Sequence, residues 1–145
     1  SIIRSYTMRI MAIDYGDAHT GIAISDPTGL LAGFTTVINS RRQEVVVEQV
    51  TLLAKEHGAE ELVLGHPVNM DGTLGPRSEK AKAMKVLLEE ATALPVVLWD
   101  ERRTTIDAHN ILFNSGKNAK QRKKVVDAVA ASLILEGYLT FKKSH

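Results

Sequence analysis

The sequence predicts an α/β fold, a five-stranded mixed sheet with helices on both faces. Three observations lead there. Three apolar runs near the start are joined by short, turn-rich connections, as in an antiparallel meander. From Arg41 onward, stretches of helical periodicity alternate with short apolar runs, the pattern of parallel β-α-β units. The length of 145 residues suits one compact domain with a real core.

The elements follow in order. Residues 1–7 read as an N-terminal extension and 8–145 as a single domain. Residues 8–13 form a buried strand that ends in Asp14, and 15–20 form a turn around Gly16. A second strand, 21–25, stops at the turn Asp26-Pro27-Thr28-Gly29, and a third covers 33–38. Residues 41–57 carry Val46, Val50, Leu53 and Ala54 at helical spacing, with Gly58 as the stop. A short buried strand, 61–65, leads into a loop over 65–75. Pro76 then opens a helix that runs to about residue 91 through Ala83, Met84, Leu87 and Leu88.

Residues 95–99 lack alternation, as in a strand covered on both faces. Thr104 and Asp107 cap a helix over 105–114, a basic loop spans 116–124, and Asp127 lies in the opening turn of the last helix, 125–139. That helix presents Val126, Val129, Ala130, Leu133, Ile134 and Gly137 on one broad face. Right-handed crossovers set the fourth and fifth strands parallel to the first, which gives sheet order 3-2-1-4-5. This is the ribonuclease H-like arrangement.

Composition narrows the function. The chain contains no cysteine, which excludes disulfides and thiolate zinc sites and fits a reducing, cytoplasmic setting. No apolar run approaches the roughly 18–20 residues that span a bilayer, so no membrane role is expected. The net charge of +1 does not mark a globally basic protein, but the charge is uneven. Lys117, Lys120, Arg122, Lys123 and Lys124 follow one another without an intervening acid, and Arg41 and Arg42 form a smaller pair. Such a run suits either a solvated surface or contact with phosphates.

Four strings carry chemistry. Asp14-Tyr15-Gly16, with Gly21 beyond it, puts an acid at the carboxyl end of the first strand and a glycine where the chain turns. The loop from Gly65 through His66, Asn69 and Gly72 to Thr73 lies past the fourth strand, where open α/β sheets bind ligands, and Asn69 can hydrogen-bond phosphate or sugar. His66 reads more simply as a lone exposed loop histidine. Asp100-Glu101-Arg102-Arg103 sets acids beside a phosphate-neutralising Arg102 at the end of the fifth strand. Asp127 stands among small apolar residues, where an acid is costly unless paired or bound to metal. Carboxylates converging from strand ends and a helix suit a divalent-cation site for phosphodiester hydrolysis.

Together these strings resemble the YqgF family, also called RuvX, whose members read D-x-G-x-x-x-x-G-v-A, G-x-P-x-N-M-D-G-T, D-E-R-x-[ST]-T and V-D-x-x-A-A-x-x-I-L-x-x-Y. They stand here in order at residues 14–23, 65–73, 100–105 and 126–138, across nearly the whole chain. The resemblance implies a ribonuclease H-like nuclease related to RuvC, acting in the cytoplasm on the 5′ end of the small-subunit (16S) rRNA precursor. A DNA-junction resolvase is the alternative. It also implies Asp14, Asp127 and Glu101 or Asp100 as the catalytic acids around Mg²⁺ or Mn²⁺, with Arg102 and the basic run against the substrate. Glu101 ranks above Asp100 because the fifth strand lies two strands, about 10 Å, from Asp14, and Glu reaches further.

Two departures stand out. Asp17-Ala18 replaces a frequent Thr-Lys, and His66 replaces a common Leu. A non-catalytic nucleic-acid-binding module remains a rival reading. So does an ATP-binding protein of the actin and sugar-kinase superfamily, although that fold needs two such domains. Either a monomer or a homodimer is compatible with the sequence.

Overall fold

A computed structural model of the chain describes residues 8–26, 32–67, 72–100 and the helix 119–144, with the side chains of 128–142 in that helix. Residues 27–31, 68–71 and 101–118 lie outside the described residues, and with them the turn expected at 26–29, part of the expected loop over 65–75 and the helix and cap expected from Thr104 and Asp107. The strands are β1 (Ile10–Asp14), β2 (His19–Ser25), β3 (Ala32–Asn39), β4 (Glu61–His66) and β5 (Val96–Asp100). The helices are α1 (Gln43–His57), α2 (Pro76–Thr92) and α3 (Ala119–Ser144). The sheet order is β3-β2-β1-β4-β5, as the topology rules require. β1 pairs antiparallel with β2 and parallel with β4, and β5 extends the parallel half.

The period-two alternation of β1 explains why both faces are covered. Met11 and Ile13 point into one core with Ile22, Ile24, Leu62 and Leu64, closed by Val46 and Val50 of α1 and Met84 and Leu88 of α2. Ile10 and Ala12 point the other way, into a second core with Ala23, Val63 and Trp99, closed by Ala131, Ile134 and Leu135 of α3. Small residues at Ala12, Ala23 and Ala131 let α3 lie close to the sheet. Among the described residues, no helix is long and apolar enough to cross a membrane.

Local signals set the helix ends. Gly58 adopts φ 67°, and its N–H returns to the last carbonyls of α1, while Pro76 occupies the opening turn of α2. Arg9 adds a lock by donating from Nη1 to the His57 carbonyl at 2.6 Å. The carboxyl half of α3 is pinned to the start of β4. There the Tyr138 hydroxyl donates to Glu61 Oε1 at 3.0 Å, and Lys142 Nζ reaches the same oxygen at 3.1 Å. Burial first, and then the Glu61 hydrogen bond and charge, push the Tyr138 hydroxyl far above its ordinary pKa.

Three expectations are corrected. The basic stretch at 119–124 is not a loop: it is the start of α3, because Lys, Arg and Gln are good helix formers and no Gly or Pro interrupts them. Asp127 therefore lies about two turns inside the helix rather than in its first turn. The buried faces are also rotated. Ala81, not the exposed Ala83, faces the core in α2, and Ala131, Leu135, Tyr138 and Leu139 join Ile134 in α3, where Val129, Leu133 and Gly137 are only half-buried.

Candidate active site at the carboxyl end of the sheet

Asp14 is the last residue of the central strand and is half-buried. Alternation with Ile10 and Ala12 directs it to the α3 side of the sheet. Its cross-strand partner in β2 is Gly21. On the other side the β1–β4 ladder reaches Ile13 opposite Leu64, and the next residue of β4 is Gly65. Asp14 thus stands at the sheet's edge between two positions that carry no side chain. A cation or phosphate could approach such a bare ledge, and the ligand oxygens there would be the hard type that divalent cations prefer.

The direction of α3 bears on Asp127. Tyr138 and Lys142 hold the helix to Glu61, and the β1–β4 register sets Glu61 opposite Ile10, at the amino end of the parallel strands. The helix therefore runs against β1, and its amino half heads toward Asp14. Position 127 is eleven residues before Tyr138, or about 16 Å along a helix at about 1.5 Å per residue. Asp14 is four residues beyond Ile10, or about 13 Å along a strand. The helix backbone at 127 reaches roughly the level of Asp14. It is also too far from Ala119 for the helix dipole to account for an acid there, since that effect fades within the first turn.

Asp100 behaves differently. Leu98 packs in the α1/α2 core and Trp99 in the α3 core, so Asp100 falls on the α1/α2 side, opposite Asp14. The structure does not bring these two acids to one face. Asn69, Glu101, Arg102 and Lys117 lie outside the described residues. So do the side chains of Lys120, Arg122, Lys123, Lys124 and Asp127, whose backbone belongs to α3. Among the described residues, no three of His, Cys, Asp or Glu gather as a metal-binding group.

The motif glycine and histidine have structural explanations. A Cβ on Gly16 would collide with the His19 carbonyl oxygen, so only glycine lets the chain fold back tightly after Asp14. His66 is not a free loop histidine. Its Nε2 lies 2.6 Å from the hydroxyl of the fully buried Ser78, which ties the end of β4 to the first turn of α2.

Sequence reasoning missed Lys80. It reaches across to Asp17, with Nζ 3.1 Å from Oδ1, over a separation of 63 residues that no local pattern encodes. The Lys80 hydrogen bond, and then its charge, hold the Asp17 carboxyl below the usual carboxylate range, with smaller contributions from Arg77 and Arg41. Arg42, by contrast, turns to Glu44 at 2.7 Å.

The sheet order, the acid closing the central strand and the helices on both faces define a ribonuclease H-like protein of the resolvase type. The T. thermophilus RuvC solved with a Holliday junction substrate has the same fold. It aligns at a TM-score of 0.63 and 12% identity, covering 93% of this chain and 96% of that one. Residues 8–141 match the RuvX family, described as Holliday junction resolvase, and this chain belongs to that family. Among its relatives is a Halothermothrix orenii protein named "Putative pre-16S rRNA nuclease", 43% identical over 93% of this chain and 96% of its own length. A Listeria monocytogenes protein of the same name is 44% identical over 91% and 97%.

Proposed function

We propose that this chain is a metal-dependent cytoplasmic nuclease that hydrolyses a phosphodiester bond in maturing the 5′ end of the 16S rRNA precursor. The observation that carries this reading is Asp14 on its bare ledge, with α3 running from Glu61 back toward it. Membership of the RuvX family and the relatives named for pre-16S rRNA support the substrate. Resolution of four-way DNA junctions is the second reading, favoured by the likeness to RuvC bound to such a junction. It calls for a two-fold dimer, whereas a monomer suffices for RNA.

Asp14, Asp127 and Glu101 are the residues that would hold Mg²⁺ or Mn²⁺. Asp100 is the weaker candidate, because its side of the sheet is opposite that of Asp14. Bound there, a divalent cation lowers the pKa of an attacking water and stabilises the leaving oxygen. The chain's own contribution is to hold its acids in register on rigid elements, with a strand end and a helix fixed by two separate cores. Arg102 and Asn69 are assigned to phosphate and sugar contacts. The test is cleavage of 16S precursor RNA and of four-way DNA junctions in parallel, with Mg²⁺ and with chelator. Activity on RNA that chelator abolishes is expected. Cleavage of neither substrate under any metal would leave a non-catalytic binding module.

The basic run Lys117, Lys120, Arg122, Lys123 and Lys124 is assigned to the substrate backbone. Replacing Lys120, Arg122 and Lys123 with Ala is expected to weaken binding evenly across sequences, since phosphates carry no base information. Each lost phosphate contact should remove roughly 0.7–0.9 from the log–log salt slope. A salt titration of affinity is the measurement, and an unchanged slope would return the run to a solvated helix face.

A further inference from the structure

A second feature lies at the same end of the sheet, on the α1/α2 side. A cleft of about 110 Å³ opens between the turn after β1 and the start of α2, lined by Gly16, Asp17, Gly65, Arg77 and Lys80 among others. Its wall is basic in an unusual place. Helix amino ends favour anions, yet α2 places Arg77 in its first turn and Lys80 just after it. Glu79, the acid of that turn, is engaged with Lys82 at 3.7 Å. Gly75 supplies no side-chain cap, and Glu79 is the one acid of the helix's first turn. Among the described residues, the anion that faces the cations is Asp17, from the other wall of the cleft, and Arg41 adds its field from just ahead of α1.

The ion pair explains little as a stabilising contact. The Lys80 and Asp17 side chains are 55% and 76% exposed, and such pairs contribute close to nothing to folding. Its position is more informative. Asp17 is three residues from Asp14, so the two lie within about 10 Å along the chain. One is at the α3 side of the sheet's edge and the other borders the α1/α2 side. A strand laid over that edge would meet both.

We propose that this cleft seats a backbone phosphate of the nucleic-acid strand, a few nucleotides from the scissile bond. Arg77 and Lys80 are the donors, and Asp17 is the resident anion that the phosphate displaces. The inference rests on the nuclease reading above. It also accounts for the departure at Asp17-Ala18: the cation missing from the turn is supplied by Lys80 from α2, and its pairing with Asp17 tempers the attraction for phosphate.

The test is fluorescence anisotropy with labelled single-stranded RNA and DNA of one sequence, with chelator present so that nothing is cleaved. Arg77→Ala and Lys80→Ala are each expected to weaken binding several-fold at low salt and to flatten the log–log salt slope by roughly 0.7–0.9. Asp17→Asn should act in the opposite sense, tightening binding several-fold, because it frees Lys80 and removes a repelling charge. Thermal melts should be unchanged for all three. Equal effects on RNA and DNA identify the phosphodiester as the ligand. Wild-type binding that none of the three variants alters would overturn this inference and leave the nuclease reading intact. Wild-type protein that binds neither strand would overturn this inference, and the nuclease reading stands or falls on the cleavage test above.

Discussion

Asp14→Asn and Asp127→Asn should each abolish cleavage, by about a thousandfold or more, while the protein stays folded. The size follows from what a metal site supplies: several kcal/mol of charge stabilisation, at about 1.4 kcal/mol per tenfold in rate. Asn keeps the shape of Asp and loses only the charge that holds the cation, so no cavity forms. Asp14 is half-buried beside Gly21, and its removal disturbs neither core. The measurement is single-turnover cleavage across a Mg²⁺ titration, with thermal melts alongside. Rates equal to the parent at limiting Mg²⁺ would remove either residue from the site.

Leu135→Ala carries the largest expected cost to stability. Leu135 is fully buried in the core that α3 closes, and deleting such a side chain costs about 2–5 kcal/mol in transfer and cavity terms together. For a chain of this length that is a fall of roughly 5–15 °C in melting temperature. Leu52→Ala is the control, since Leu52 is 48% exposed and such surface changes stay within about 0.5 kcal/mol. A Leu135→Ala protein that melts like the Leu52 variant would mean that α3 does not pack as described.

Particular residues show how far a one-dimensional reading reaches. Gly58 and Pro76 are local signals, and the helices end and begin where they stand. The sheet order followed from connection lengths and crossover handedness, which depend on the chain's path more than on side-chain detail. The start of α3 was misjudged because charge was taken as a mark of a loop, whereas Lys and Arg propagate a helix unless Gly or Pro stops it. The faces of α2 and α3 were read correctly at Met84, Leu88 and Ile134 and misjudged at Ala83, Val129, Leu133 and Gly137, because several apolar stripes on each helix satisfy the same period and only contact with the sheet selects one. Asp14 could be read from its place after an apolar run. The pairings of Lys80 with Asp17 and of His66 with Ser78 could not, because they depend on how two elements dock.

The pinning of α3 by Tyr138, Lys142 and Glu61 has a bearing on how the molecule is made. Of the described elements β1 and β2 leave the ribosome before the others, yet the face that carries Ala12, Ala23 and Asp14 is covered by the one translated last. A nascent chain stalled before residue 119 lacks the helix that, among the described elements, covers that face and runs toward Asp14. Folding of that face and assembly of the proposed acid cluster then coincide in time. On the proposed function, cleavage would begin only once that last helix is in place.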